Sequence, residues 1–410
     1  MSSNFKPRDY QTNISDQATN LLNSRGVAII NMEVRTGKTF TALLTCDKLK
    51  ANKILFVTKK KAIASIQSDY NTLNPGYEMQ CINYESLHKI KKNDFDVIIC
   101  DESHTLGAFP KPSIRTKKLK DFVGSTKLIL LTGTLTPESY SQIYHQLWIT
   151  SNSPFKEKSF YKWAKDYVNV TQKRVSFGNM VNDYSDANKA KIDKLINPIK
   201  ISFTQKEAGF KTVINEHFLN VEMLPATYAT ARKLVKDLVI EGKTDVILAD
   251  TPVKLKQKLH QIYSGTCKLE SGNSVVLDYS KGEYIKDYFK GKKIAIFYKF
   301  KAELELLKEV FKDSLCTDLK EFDNSSKNIA LQFVAGREGV KLANADALVF
   351  FNIDYSALSY FQAKDRMTTM ERLQNDVYWV FSNKGIEQKI YNTVSNKKDY
   401  TLSHFKKDFL

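Results

Sequence analysis

Asn31-Met32-Glu33-Val34-Arg35-Thr36-Gly37-Lys38-Thr39 is the stretch on which the reading of this chain turns. It follows the apolar run Val27 to Asn31 and opens the amphipathic run Thr39 to Leu49, so its context is strand, turn, helix. The phosphate-loop pattern G-x-x-x-x-G-K-[ST] asks for glycine at position 32, where Met32 stands, but its second half, Gly37-Lys38-Thr39, is intact. Gly37 lets backbone approach a phosphate closely. Lys38 can set its ammonium on the β- and γ-phosphates, Thr39 can ligate Mg²⁺, and the helix start adds favourable amide dipoles. The bland alternative is a chance G-K-T at a helix start, and the strand before it argues against that.

A second motif supplies what the first lacks. Val97-Ile98-Ile99-Cys100-Asp101-Glu102-Ser103-His104 is an apolar strand ending in two carboxylates. Ligands in parallel sheets sit at the carboxyl ends of strands. Adjacent acids there repel each other unless a cation is present, so Asp101 reads as the Mg²⁺ holder and Glu102 as the group that orients and activates water. Thr132-Gly133-Thr134 follows the run Leu128 to Thr132. Alone it is a turn; in order after the other two motifs it can couple nucleotide state to the second half of the chain.

Outward from these motifs, short apolar runs alternate with amphipathic ones. Val27 to Asn31, Ile54 to Thr58, Val97 to Asp101 and Leu128 to Thr132 read as strands. Thr39 to Leu49, Lys60 to Tyr70, Tyr84 to Ile90 and Pro137 to Ile149 read as helices. The pattern returns with strands over Ile294 to Tyr298, Ile329 to Ala335, Ala347 to Asn352 and Val377 to Ser382, and helices over Lys301 to Phe311, Ala357 to Leu373 and Ile386 to Ser395. The fold class is therefore α/β, with two parallel-sheet domains in tandem. The expected domains are 1–150 and 206–410. Between them, 151–205 reads as a mostly helical insertion or linker, and the boundary falls near Ser202 to Lys211.

The chain has 410 residues, with 62 Lys+Arg against 45 Asp+Glu, a formal charge of +17. With 42% hydrophobic and 26% charged residues it is an ordinary globular composition, not a disordered, collagen-like or disulfide-stapled one. No apolar run is long enough for a membrane span, and Met1 to Gln11 is polar without a signal segment, so a cytoplasmic location is expected. The odd, scattered Cys46, Cys81, Cys100, Cys267 and Cys316 suggest neither a zinc site nor a disulfide framework. The positive excess suits a polyanionic partner.

At this point the residues resemble a superfamily-2 helicase or translocase of the Swi/Snf-like branch, in the compact form found in phages. Phe5 to Gln11 resembles the adenine-reading Q motif, with Gln11 as reader. Met32 to Thr39 resembles motif I, which implies nucleotide contacts from Arg35, Thr36, Gly37, Lys38 and Thr39. Phe56 to Lys60 resembles motif Ia, and Asn83 to Leu87 the next nucleic-acid motif. Asp101 to His104 resembles motif II and Thr132 to Thr134 motif III. In the second half, Ile294 to Tyr298 resembles motif IV, Ala335 to Leu342 motif V and Gln362 to Arg366 motif VI; Lys254 to Gly265 and Ser280-Lys281 look like connecting segments.

The resemblance implies two RecA-like domains and an ATP- and Mg²⁺-dependent nucleic-acid motor. Lys38, Asp101, Glu102, Gln362 and Arg366 would be catalytic. Thr39 and Asp101 would hold the metal, Gly339 would join the nucleotide contacts, and Lys59, Lys60, Tyr84, Thr132 and Thr134 would face nucleic acid. Motif VI departs from the family pattern: Thr369 stands where a second arginine is usual, three residues after Arg366. If the helix runs on, Arg372 is placed to substitute.

Duplex DNA is the favoured track and RNA the second; a nucleotide-gated clamp without turnover is the reading from a different class. The chain is taken as a monomer. Other basic groups (Lys61; Lys111, Arg115, Lys117, Lys118 and Lys120; Lys397, Lys398, Lys406 and Lys407) read first as solvated faces. Trp148, Trp163 and Trp379 read as core.

Overall fold

The computed structural model describes residues 6–90, 95–174, 180–242, 245–333, 340–396 and 400–409. The chain divides into two units, Met1–Phe210 and Lys211–Leu410.

In the first unit the described elements are α1 (Asp9–Arg25), β1 (Val27–Met32), α2 (Lys38–Lys48), β2 (Lys53–Thr58), α3 (Ile63–Leu73), β3 (Glu78–Asn83), β4 (Val97–Cys100), α4 (Ile114–Val123), β5 (Lys127–Thr132), α5 (Gln142–Leu147), α6 (Phe160–Tyr167), β6 (Thr171–Arg174), β7 (Met180–Asp183), α7 (Lys189–Ile196) and β8 (Lys200–Phe203). Six strands form one parallel sheet in the order β3-β2-β4-β5-β1-β8. Side chains alternate across a strand, and the core divides accordingly. Ala28, Ile30, Phe56, Ile99 and Ile129 face α1, α2 and α3 through Leu22, Leu43 and Ile66. Val27, Ile29, Val57, Ile98 and Leu128 face α4 to α7 through Leu119, Leu147, Trp163 and Ile192. Strands buried on both faces must be nearly continuous apolar runs, which is why they are visible in the sequence.

Residues 151–205 depart from a mostly helical insertion. They contain α6 and α7, but also the antiparallel ribbon β6–β7 and the strand β8, which pairs parallel to β1 from Ile29↔Lys200 to Met32↔Phe203. Phe155, Phe160, Trp163, Ile192 and Ile196 belong to the first unit's core. The ribbon escapes a reading by pattern because its strands, Thr-Gln-Lys-Arg and Met-Val-Asn-Asp, carry no periodic run of apolar residues.

The second unit contains β9 (Val213–Val221), α8 (Pro225–Asp237), β10 (Val239–Glu241), β11 (Val246–Leu248), α9 (Pro252–Tyr263), β12 (Thr266–Lys268), β13 (Ser274–Val276), α10 (Ser280–Tyr288), β14 (Ile294–Tyr298), α11 (Lys301–Phe311), β15 (Leu315–Cys316), α12 (Leu319–Asp323), β16 (Asn328–Gln332), β17 (Ala347–Phe350), α13 (Ala357–Lys364), β18 (Gln374–Ser382), α14 (Glu387–Val394) and α15 (Leu402–Phe409). Its six-stranded sheet is also parallel, in the order β15-β16-β14-β17-β18-β9. One face carries Phe297, Phe350 and Trp379 beneath α9, α13 and α14; the other carries Ile296, Val349 and Val380 beneath α10 and α11. The chain is thus α/β with two parallel six-stranded sheets, as its alternating pattern requires. No helix among the described residues is long and apolar enough to cross a membrane. The five cysteines are free thiols, four of them buried.

The helix expected over Ala357 to Leu373 stops at Lys364. Asp365 accepts from the Thr368 hydroxyl at 2.7 Å, and the Arg366 carbonyl is taken by the Leu342 amide at 3.0 Å. Local side-chain bonds of this kind compete with helix propagation. Consequently Arg372 does not stand one helical turn beyond Thr369. Its guanidinium donates to the carbonyls of Ala343, Ala345, Asp346 and Gln374 at 2.8–3.2 Å, locking two loops together. The substitution of Arg372 for a motif VI arginine is therefore corrected: this side chain is a structural clamp.

A buried polar network closes the second sheet's carboxyl edge. His260 lies between Asn352 and the Tyr355 hydroxyl, and Asn352 in turn donates to Glu303. Burial, reinforced by the Lys299 cation, holds the His260 imidazole well below its ordinary range. An unfolded chain takes up this proton near 6.5, whereas the folded chain resists it. The stability this group contributes is therefore present above about 6.5 and lost as pH falls, at up to about 1.4 kcal/mol per pH unit. Buried Glu303, whose carboxyl is pushed up by desolvation, acts in the opposite sense, so the test compares variants. Between pH 7 and 5 the wild type should lose more stability in urea unfolding than His260→Gln. Equal losses would remove His260 as the cause.

Candidate nucleotide site

Parallel pairing brings the ends of β1, β2, β4 and β5 to one edge of the first sheet: Asn31 is in register with Thr132, and Val57 with Cys100. Everything the sequence singled out in this unit for nucleotide chemistry follows one of those ends or caps it.

The turn after β1 is held from three sides. Thr36 bonds the Glu33 carbonyl through its hydroxyl at 2.7 Å, and the Tyr10 hydroxyl donates to the Thr36 carbonyl at 3.1 Å. Gln205, just beyond β8, donates its amide side chain to the Val34 carbonyl at 3.0 Å and its backbone N–H to Glu33. Arg35 takes a positive φ of 65°, a left-handed conformation uncommon outside glycine. Gly37, at φ +83°, lies directly under Gln11: a Cβ there would sit 2.2 Å from Gln11 Nε2. Gln11 is buried and its Oε1 accepts from the Arg8 amide at 2.9 Å, so the start of α1 is folded over the turn. Lys38 and Thr39 form the first turn of α2. A Cβ on Gly133 would lie 3.5 Å from Lys38 Nζ, an ordinary contact distance, which places that ammonium beside the Thr132-Gly133-Thr134 turn.

The acidic pair follows β4. Asp101 Oδ2 accepts from the Thr58 hydroxyl at 2.7 Å and Oδ1 from the Glu102 amide at 3.0 Å. Burial, together with the neighbouring Glu102 charge, pushes the Asp101 carboxyl up to about 6 against the pull of Thr58 and Lys38. A carboxylate raised by burial and by a like charge is one that a cation would stabilise. Glu102 adopts φ +48°, which turns its side chain toward His104, with Oε2 3.3 Å from Nδ1. That same Nδ1 lies 3.2 Å from Thr132 Oγ1. The Thr132 hydroxyl hydrogen is committed to the Thr134 carbonyl at 2.9 Å, so the His104 nitrogen is the donor. One continuous chain therefore runs Glu102, His104, Thr132, Thr134.

The donor set fits Mg²⁺ with a nucleotide: a hydroxyl at the start of α2, a buried carboxylate destabilised by its neighbour, an ammonium close by and a glycine turn with no room for a side chain. Gln362 lies in the last turn of α13 in the second unit, buried, with its Oε1 without a hydrogen-bond partner among the described residues. Arg366 stands two residues past the end of that helix. Each unit is thus furnished separately. Gly339 and residues 335–338 of motif V lie outside the described residues, as do Phe5, Lys397 and Lys398.

The expected nucleic-acid residues divide. Lys59 and Lys60 follow the end of β2, with Lys60 exposed. Tyr84 is only 1% exposed; its hydroxyl donates to the Asp101 carbonyl at 2.6 Å, so it braces the acidic motif rather than offering a ring. Thr132 is fully buried in the chain just described. Arg115 pairs with Glu85, and Lys120 lies 3.4 Å over the Trp148 ring, which gives two of the other basic residues structural partners. The residues missed from sequence are Thr58, Tyr10 and Gln205. Thr58 alone carried a signal, being the polar end of an apolar strand.

A parallel sheet with a G-K-T turn after one strand and an acidic pair after another defines a nucleotide-binding α/β unit of the phosphate-loop class. Residues 4–91 match the family described as Type III restriction enzyme, res subunit. With the ordered motifs, this makes the chain similar to the superfamily-2 helicases and translocases. Among solved structures, it is similar to the SWI2/SNF2 ATPase core of Sulfolobus solfataricus in complex with dsDNA, at 14% identity and TM-score 0.45, over 99% of this chain and 93% of that one. It is also similar to the SWI2/SNF2 ATPase core domain of the same organism, at 15% identity and TM-score 0.42, over 97% and 90%. No curated protein matches by sequence.

Proposed function

We propose that this protein is a nucleic-acid-stimulated ATPase that moves along or remodels duplex DNA. The observation that carries the reading is the convergence of Gln11, Gly37 to Thr39, Asp101 and Glu102 at one sheet edge, with Glu102 wired through His104 to Thr132 and Thr134. In this reading Gln11 receives the adenine, Arg35, Thr36 and Gly37 line the phosphates, and Lys38 neutralises the β- and γ-phosphates. Thr39 and Asp101 would hold Mg²⁺, which supplies charge neutralisation on the phosphate oxygens when bound. Glu102 orients the attacking water and accepts its proton. Gln362 and Arg366 are assigned to the charge that develops on the γ-phosphoryl group, with Gly339 among the nucleotide contacts. Lys59 and Lys60, at the end of the strand that also carries Thr58, are assigned to the nucleic-acid backbone.

The test is phosphate release with duplex DNA, single-stranded DNA and RNA. Stimulation by duplex supports the proposal. Stimulation by RNA alone replaces it with an RNA helicase, and nucleotide binding without stimulation replaces it with a gated clamp. Affinity for the polymer should also fall with salt. Neutralising the two phosphates assigned to Lys59 and Lys60 gives a loss on the order of 10-fold between roughly 50 and 200 mM. A filter-binding titration with a flat response would remove the lysines as phosphate contacts.

A further inference from the structure

One carboxylate in the second unit gathers an unusual number of donors. Glu216, on the edge strand β9, accepts from the Tyr360 hydroxyl at 2.9 Å, Lys364 Nζ at 2.9 Å, Trp379 Nε1 at 2.8 Å and the Tyr391 hydroxyl at 3.2 Å. A carboxylate has about four acceptor positions, so this one is saturated. Burial alone would raise its pKa; the Lys364 ammonium and the other donors more than offset that and hold it below the ordinary range. The donors come from β18, α13 and α14, so a single side chain ties four elements together.

Two of the donors matter for what α13 presents. Tyr360 and Lys364 are four residues apart and share one face of that helix, with the ammonium also 4.5 Å over the Tyr360 ring. Gln362 lies two positions on, about 200° around the helix from Tyr360. At its other end α13 is fixed by the Ser359 hydroxyl, which donates to Asp354 at 2.8 Å. A helix of eight residues with no side-chain N-cap has little rigidity of its own. Its rotation about its axis is set by what grips its back face.

We propose that Glu216 is a positioning residue: by holding Tyr360 and Lys364 it fixes the rotation of α13 and so aims Gln362 and the adjoining Arg366. This rests on the assignment of those two residues under the proposed function. It adds a residue 146 positions before Gln362 that touches neither nucleotide nor polymer.

The experiment uses the full chain with Glu216→Gln, Lys364→Met and the double variant, assayed well below their unfolding temperatures. Turnover at saturating ATP and duplex should fall about 10- to 100-fold, as misplacements near 1 Å do, while KM for ATP changes by less than about twofold. Glu216→Asp, which keeps the charge, should recover part of the loss. The double variant should be no worse than the worse single, because both remove one interaction. Amide exchange across residues 357–366 should rise in Glu216→Gln while exchange in β14 does not.

Unchanged exchange and unchanged turnover in folded Glu216→Gln would overturn the positioning role, as would a loss expressed only in KM. If Glu216→Gln fails to fold, Lys364→Met reads the same quantities. Should wild type show no turnover with any polymer, the proposed function fails, and the exchange measurement still decides whether Glu216 holds α13.

Discussion

Glu102→Gln is expected to leave the protein folded and to lower nucleic-acid-stimulated ATP turnover by about 10²–10⁴-fold, the usual loss when a general base is removed. Glutamine keeps the volume and one oxygen that can lie against His104 Nδ1, so the contact from the acidic motif toward Thr132 and Thr134 survives. What disappears is the proposed capacity to take a proton from water. Nucleotide binding, measured by fluorescent-analogue titration, should therefore hold within a few-fold. Lys38→Ala is the contrasting variant. On the proposed assignment it removes the ammonium from the phosphates in ground and transition states alike, so both binding and turnover should fall, the latter by about 10²–10³-fold. Wild-type phosphate release in either variant would take that residue out of the site.

Lys281→Ala should destabilise the second unit by about 3–5 kcal/mol. Lys281 on α10 and Glu387 on α14 are both fully buried and meet at 2.8 Å. Glu387 also receives the Ser382 hydroxyl at 3.0 Å, and Lys281 lies 5.2 Å from the Phe351 ring centre. Removing the lysine leaves a carboxylate with neither water nor a counter-charge, which costs far more than the pair itself contributes. Replacing both residues together, as Lys281→Met with Glu387→Leu, should restore most of the loss. In urea the second unit's transition should move by about 1–2 M for the single variant, with the first unit's transition unmoved. A shift under about 0.5 kcal/mol would mean that water reaches the pair.

What the sequence disclosed follows from how local each feature is. β1, β4, β5, β14 and β17 are apolar on both faces, so each announces itself as a run. β3 and the edge strand β9 went unread because they are amphipathic: β9 reads Val-Ile-Asn-Glu-His-Phe-Leu-Asn-Val, with only Leu219 and Val221 buried. The G-K-T turn and the D-E pair were legible because their chemistry is contiguous. The supports of that chemistry were not. Thr58 is 43 residues from Asp101, Gln205 is 171 from Val34, and Glu216 is 148 from Lys364. Only the fold brings them together, and no spacing rule connects them. The end of α13 was misjudged for a related reason: whether Asp365 caps or continues a helix depends on where Thr368 and Leu342 come to lie.

The hydroxyl of Thr58 has a consequence beyond steadying Asp101. It ties the carboxylate proposed to hold the cation to the strand end from which the proposed polymer contacts Lys59 and Lys60 leave, so that the two form one short lever. Thermodynamic linkage runs both ways through such a lever. If occupancy of the lysines by a polymer strengthens the hold on Mg-ATP by some factor, Mg-ATP must tighten the grip on the polymer by that same factor. Fuel and track would then sense one another over the width of one strand, before any larger movement begins.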